Sequence, residues 1–345
     1  MMPHTDTGPD AAAILIRARD LVLPELRTAV ARLDPALGTM AGYHFGWNTA
    51  DGRPATAHPG KLLRPALTVL AAEAVGGLGA SVTRGAVAVE LVHNFSLIHD
   101  DIMDRDELRR GRPTLWRCFD IPFAIMVGDA LHALAFELLS EQDNQRASQL
   151  LGAALRDLVS GQARDMEFSG RSWQCGDAVT VGVDEYREMA MAKTGALMSA
   201  ALSIGAELGG ARPEVVATFT QVGRHLGLAF QCVDDILGIW GDEAVTGKPA
   251  LGDLREGKRT LPLLGALATP DGEELAGILA GSDLGDPDLR HAAKVIERAG
   301  GRALTEREVD RQIALARALL AEVPTEAAVQ ARFDALCAAA VRRVR

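Results

Sequence analysis

Apolar residues recur three and four positions apart along most of this 345-residue chain. The stretches AAAILIRARDLVLPELRTAVARL, VTRGAVAVELVHNFSLIHDDIMD, RASQLLGAALRDLVSGQARDMEF and VVATFTQVGRHLGLAFQCVDDILGIW each hold that spacing over several turns. It is the period of a helix with one buried face. Runs of alternating β-branched residues are almost absent, so the pattern predicts an all-α protein. Breaks fall at residues 38–60, rich in Gly, Pro and His, and at EFSGRSWQCGDAVTVG, GGARPE and GSDLGDPD. They are short beside the helices, which predicts one large domain over 13–345 behind a flexible tail, residues 1–12. A hydrophobic fraction of 48% is enough to build its core.

Charge narrows the partners. With 46 acidic against 36 basic side chains the formal charge is -10, which argues against a nucleic-acid binder or a ligand of anionic membranes. Any phosphate chemistry must therefore use local basic clusters. Cys118, Cys175, Cys232 and Cys337 are far apart with no CxxC pair, so neither a disulfide framework nor a zinc site is indicated and a reducing cytoplasm fits. No signal peptide and no charge-free apolar run long enough to span a membrane is read.

An apolar helix ending in Asp-Asp occurs twice. In the first, Asp100 and Asp104 share a face and Asp101 flanks it, so three carboxylates are expected to converge. Like charges at this spacing cost a bare helix roughly 0.2–0.5 kcal/mol per pair, a cost a cation would offset. Mg²⁺ is the natural candidate, since it takes carboxylate, water and phosphate oxygens. In the second, Asp234 and Asp235 follow another apolar run, with Asp242 about two turns on. Two such helices facing each other would hold metal ions between them. Either motif alone is equally compatible with a solvated helix terminus; the recurrence favours function.

Basic residues accompany both motifs. Arg109 and Arg110 follow the first, and Lys248 and Lys258 follow the second. GKLLRP supplies Lys61 and Arg64, MAKTG supplies Lys193 and Thr194, and His93 lies two turns before Asp100. Carboxylates with Mg²⁺ bind a diphosphate through the metal, and cations complete its neutralisation. Singly, each base fits an ordinary solvated charge more readily than a ligand, and His93 fits a buried structural histidine as well as a ligand; placement beside Gly and Pro in apolar context favours function.

The ordered set GKLLRP, HDDIMD with LRRGRPT, GDALHALAFELL, GQARDM, MAKTGALMSAA, FQCVDDILGIWGD and GKRTLP, across about residues 55–270, resembles the trans-isoprenyl diphosphate synthases, in pattern the bacterial geranylgeranyl diphosphate synthases. The resemblance implies an all-α bundle around a deep central cavity, a homodimer, and three Mg²⁺ ions. It also implies that Asp100, Asp101, Asp104 and Asp234 bind metal, with Asp235 beside them. Lys61, Arg64, His93 and Arg110 would hold isopentenyl diphosphate. Arg109, Lys193, Lys248 and Lys258 would contact the allylic diphosphate (dimethylallyl, geranyl or farnesyl), and Thr194 and Gln231 would line the reacting carbons. One departure is Gly238, where the family commonly has a third aspartate. Asp242 is the expected substitute if the helix continues, and Gly238→Asp is expected to keep activity.

Two rivals carry different implications. A class I terpene cyclase usually has a second motif beginning Asn-Asp, whereas Asn48, Asn94 and Asn144 are followed by Thr, Phe and Gln, and aromatics are only 4%. A non-catalytic subunit of a heteromeric synthase would be expected to lose its metal aspartates, and the first set is complete. For product length, the tail is expected to run back along the helix past Ser96, Phe95 and Val92. At 1.5 Å per residue Phe95 lies about 7.5 Å and Val92 about 12 Å from Asp100. In the family an aromatic five residues before the first aspartate gates chain length, and Ser96 leaves the next position open. That combination implies geranylgeranyl diphosphate, with farnesyl diphosphate as the alternative.

Overall fold

The helical periods of the sequence become helices in the computed structural model, which describes residues 10–55, 60, 62–141, 144–173, 181–241, 250–281 and 284–341. In chain order these are α1 (Ala11–Val30), α2 (Pro35–His44), α3 (Leu63–Ala74) and α4 (Ala80–Met103). A hairpin of β1 (Leu108–Arg109) and β2 (Arg112–Pro113) leads to α5 (Leu115–Ser140), α6 (Gln145–Ser169) and α7 (Val183–Ala190). A π-helical turn, Met191–Gly195, joins α7 to α8 (Ala196–Leu208), and α9 (Pro213–Trp240) follows. The remainder is α10 (Gly252–Arg255), α11 (Leu261–Leu267), α12 (Gly272–Leu279), α13 (Asp286–Arg298), α14 (Gly301–Ala321) and α15 (Ala327–Val341). The all-α expectation holds. Helix α1 starts inside the expected tail, capped by Asp10, whose Oδ1 accepts from the Ala12 N–H at 3.0 Å. Helix α2 reaches into the Gly-, Pro- and His-rich stretch as far as His44.

Two compact units form. The first takes the chain through Ala153 together with Ala200–Thr220 and Ala321–Leu336. Here α4 packs along α5 and against α3 and α1, burying Val82, Val89, Leu91, Val92 and Ile98. Helix α5 is interrupted at Asp120, whose φ of 71° and ψ of 161° break the ladder just before Ile121-Pro122. Proline there has no N–H to leave unsatisfied, so the helix restarts at little cost. The second unit takes Ala154–Ser199, Gln221–Leu320 and the residues from Cys337. At its core every residue of α11 is buried, against α7, α12 and α13.

Helix α5 and the continuous helical stretch 183–208 are long and apolar enough, by length and composition, to cross a membrane. Neither is free of charge: α5 carries Arg117, Asp120, Asp129 and Glu137, and the second carries Lys193 and several acids. The apolar window of the second is 78% buried, as a core helix is.

Leu131 sits in the α5 face that closes on the core and is fully buried. Truncation there removes packed methyls and leaves a cavity, so Leu131→Ala is expected to destabilise by about 2–5 kcal/mol. Thermal unfolding followed by far-UV circular dichroism should show a lowered Tm; an unchanged Tm would mean this face is not core.

Candidate active site

The first acidic motif closes α4. Asp100 is half-buried and Asp104, the C-terminal cap, is exposed; they lie one turn apart, and the Asp104 N–H donates to the Asp100 carbonyl at 2.8 Å. Asp101 does not join them. About 100° further round the helix, it is only 1% exposed, and Arg109 donates to its Oδ1 through Nε at 2.7 Å and Nη2 at 2.6 Å. This corrects the expectation of three converging carboxylates. Among the described residues no three His, Cys, Asp or Glu side chains stand together as a ready metal cluster. The all-oxygen donors Asp100 and Asp104 nevertheless suit a hard cation whose remaining ligands are water and phosphate.

LRRGRP folds as a hairpin, which the helical reading missed. Arg109 pairs with Arg112 across the strands. Arg110 and Gly111 form the two-residue turn with φ of 54° and 72°, left-handed at both positions as a type I′ turn requires. Arg112 is structural, its Nη1 donating to the Tyr43 carbonyl at 3.1 Å, its Nη2 to that of Asn48 at 3.2 Å, with the guanidinium 4.3 Å over the Tyr43 ring. Arg110 lies with its guanidinium against the backbone of Gly60. Tyr43, His44, Asp101 and the three arginines line one cavity.

Arg64 and His93, read from separate motifs, meet with Nη1 and Nε2 3.1 Å apart. Burial, then the charges of Arg64 and Arg110, hold the His93 pKa well below the ordinary histidine range. The ring is therefore neutral beside the guanidinium, with its Nε2 free to accept. His44, which no motif flagged, is pushed down to about 3 by burial and then by Arg109 and Arg110. Its Nε2 lies 3.1 Å from the Asn94 Oδ1, and the Asn94 amide donates to the Glu90 Oε1 at 2.9 Å. Glu90 is 3% exposed; burial pushes its pKa up to about 7, against the Asn94 hydrogen bond and the charges of Arg64 and Arg110. A lone acid inside an apolar run was the available signal for Glu90. Lys61, Lys248 and Asp242 lie outside the described residues.

In the second unit Lys193 and Thr194 sit on the π-helical turn, a distortion that often marks functional positions. The Lys193 ammonium is 2.5 Å from the Asp165 carboxylate of GQARDM, another residue the sequence reading passed over. Thr194 donates to the Gln231 Oε1 at 2.6 Å, and the Gln231 amide donates to the Asp235 Oδ1 at 2.9 Å. The other oxygen of Asp235 accepts from the Tyr186 hydroxyl and, at 2.8 Å, from the Leu261 N–H that opens α11. Asp235 is 2% exposed, and burial raises its pKa to about 6 against those hydrogen bonds. Asp234 beside it is exposed. Lys258 is 2.6 Å from Glu256.

Of the expected chain-length residues, Phe95 turns toward α5, its ring centroid 4.7 Å from His99 and 5.3 Å from His132, which meets Phe136 edge to face at 5.2 Å. Ser96 is buried and donates to the His93 carbonyl at 2.8 Å, and Val92 is in the core.

A family model described as Polyprenyl synthetase matches residues 52–296. Two relatives come from Mycobacterium tuberculosis (strain ATCC 25618 / H37Rv). A (2E,6E)-farnesyl diphosphate synthase is 44% identical over 87% of this chain and 84% of its own. A geranylgeranyl diphosphate synthase is 41% identical over 89% and 88%. The crystal structure of a polyprenyl synthetase from Streptomyces coelicolor A3(2) aligns with a TM-score of 0.90 at 46% identity, over 96% of this chain and 99% of that one. The chain belongs to the polyprenyl synthetase family, the trans-isoprenyl diphosphate synthases, and is a prenyltransferase with the all-α fold of that family.

The buried acid beneath the arginines gives a pH prediction. Glu90 holds its proton more tightly when folded, its pKa rising from 4.5 to about 7. The stability this gives is complete below the lower value and is lost as pH rises through the higher one. Glu90→Gln should flatten the decline across that window, by ~3 kcal/mol, in urea unfolding run as a pH series. An unaltered pH slope would show that Glu90 titrates alike in both states.

Proposed function

We propose that this chain catalyses Mg²⁺-dependent head-to-tail (1'-4) condensation of isopentenyl diphosphate with an allylic diphosphate, and that its main product is geranylgeranyl diphosphate. The observation that carries the reading is the basic cavity of the first unit, where Arg109 and Arg110 stand beside neutral His44 next to the acidic end of α4; Arg64 on neutral His93 is a second basic pair in the same unit. Guanidiniums with uncharged donors suit a diphosphate better than a metal or a peptide.

In this reading Lys61, Arg64, His93 and Arg110 hold isopentenyl diphosphate, while Lys193, Lys248 and Lys258 neutralise the allylic diphosphate. Arg109 acts on the allylic group from its place on Asp101. Asp100 and Asp104 of the first unit, and separately Asp234 of the second, are read as Mg²⁺ ligands; the ion would supply Lewis-acid stabilisation of the departing diphosphate. The cationic side chains stabilise the same developing charge as the allylic C–O bond breaks. The Thr194–Gln231 pair, which Asp235 holds, is read as lining the reacting carbons. The isopentenyl double bond attacks the allylic cation, and a proton leaves to the released diphosphate, so no side-chain base is needed. Exclusion of water keeps the cation from being quenched.

The apolar side chains Ile121, Phe123, Ile125 and Met126, each 42–45% exposed on α5, support a homodimer, since a monomer seldom leaves such a row in water. Farnesyl diphosphate is the second reading for the product, favoured by the relative at 44% identity.

Replacing Asp100 or Asp104 by Ala should lower turnover by several orders of magnitude and leave the helical circular dichroism intact; near-normal turnover would remove both from the metal assignment. For product length, Phe95→Ala should release longer prenyl diphosphates and Ser96→Phe should shift the product to fifteen carbons. Chromatography of the dephosphorylated products decides between them. If Phe95→Ala gives the native length, Phe95 is packing against His132 and nothing more.

A further inference from the structure

His44, the last residue of α2, lines the basic cavity of the first unit with Arg109 and Arg110, and its neighbours decide which ring nitrogen carries the proton. The Asn94 amide nitrogen lies 2.8 Å from the Glu90 backbone carbonyl and 2.9 Å from the Glu90 Oε1. A backbone carbonyl only accepts, so the amide end facing it is the donor and the opposite end, Oδ1, faces His44. That oxygen needs a donor in turn. The His44 Nε2, 3.1 Å away, is therefore the protonated nitrogen. In a neutral ring Nδ1 is then a bare acceptor, and it has no hydrogen-bond partner among the described residues.

Contacts on both sides hold that ring in place. Phe45 meets it edge to face at 5.9 Å and stacks on Trp47 at 4.6 Å. The end of α2 is tied to the hairpin by the Arg112 bonds to the Tyr43 and Asn48 carbonyls and by the Tyr43 hydroxyl, which donates to the Pro113 carbonyl at 2.8 Å. Burial, then the charges of Arg109 and Arg110 with Arg112 behind them, keeps the ring neutral against the Asn94 bond. No neighbouring acid reverses this: on α4 the Asp101 carboxylate is on Arg109, the Glu90 Oε1 accepts from Asn94, and His93 is itself neutral. A phosphate oxygen is also an acceptor, so it and Nδ1 can bond only through one added proton. A bound diphosphate favours that proton, because its negative charge offsets the arginines that hold the ring neutral.

We propose that His44 is a binding residue for isopentenyl diphosphate, which enters this cavity together with one proton held between Nδ1 and a phosphate oxygen, and that Asn94 and Glu90 are positioning residues that impose this by fixing the tautomer. The proton comes from solvent, one for each diphosphate bound, and no covalent bond to carbon or phosphorus changes. The site therefore takes its substrate more weakly as pH rises. This rests on the reading of the cavity as the isopentenyl diphosphate site.

The test is calorimetric titration of isopentenyl diphosphate into the full-length protein without Mg²⁺, in buffers of different ionisation enthalpy, with circular dichroism as the check on folding. The slope of observed heat against buffer ionisation enthalpy counts the protons taken up. At a pH of about 7.5 the free diphosphate is mostly unprotonated, its last pKa being about 6 as in a phosphomonoester. The native protein should take up about one proton per ligand, and its affinity should fall by nearly tenfold per pH unit above that. His44→Asn offers an amide N–H that needs no added proton, so it should lose most of the uptake and most of the pH slope. The nearly isosteric Asn94→Leu keeps His44 but frees the ring to carry its proton on Nδ1, so the count should fall there too while binding persists. A merely structural role would lower affinity at every pH and leave the count as in the native protein. Failure of the native protein to bind isopentenyl diphosphate would sink the reading of the cavity and the proposal with it. Native binding without proton uptake, or an undiminished count in folded His44→Asn, would overturn the proposal and leave that reading standing. An undiminished count in folded Asn94→Leu would overturn the control of the tautomer by Asn94.

Discussion

A buried carboxylate at the polar end of an apolar helix organises each unit of this protein. In both Asp-Asp pairs the second aspartate turns inward, Asp101 at 1% exposure and Asp235 at 2%. An ionised carboxylate taken out of water costs several kcal/mol unless strong donors replace its hydration. Asp101 is met by the Arg109 guanidinium, and Asp235 by a hydroxyl, an amide and a backbone N–H. The two solutions differ in character. A charge partner draws a whole hairpin onto α4, whereas neutral donors leave Asp235 with a pKa raised to about 6.

Much of the site's geometry follows from those anchors. Arg109 on Asp101 fixes the register of β1 and β2, which sets Arg110 at the hairpin tip and turns Arg112 onto Tyr43. Asp235 bonds Gln231 and thereby Thr194 on the π-helical turn, and it caps the start of α11. The first aspartate of each pair, adjacent in sequence but on the outer face, is left to the solvent side. Doubled aspartates therefore differ in burial: the second carboxylate of each pair is buried, and the first is the more exposed.

Backbone strain gathers at the same places. Of the five left-handed non-glycine residues among the described residues, all but Asp120, namely Leu62, Arg105, Arg110 and Leu251 with φ of 49°, 57°, 54° and 64°, lie within a few residues of a group read as binding diphosphate or metal. Such conformations cost of order 1–3 kcal/mol each and last only where the surroundings over-determine them. Here the anchors, the cation–carbonyl bonds of Arg112 and the Leu251 N–H bond to the Ile239 carbonyl of α9 are those surroundings. They supply rigidity around charges that would otherwise repel one another.

The sequence alone determined the all-α class, the long helices α1, α4, α6 and α9 to within a few residues, and the ordered motifs that define the family. These are legible because helical period and motif spacing are properties of neighbours along the chain. Tertiary structure decided which member of each aspartate pair is buried, that His44, Asn94 and Glu90 form one chain of contacts, and that Asp165 holds Lys193. No local pattern could have shown these. Each depends on two segments far apart in sequence meeting at a distance of a few ångströms, and on the energetic rule that a buried polar group must find its partner wherever the fold brings one.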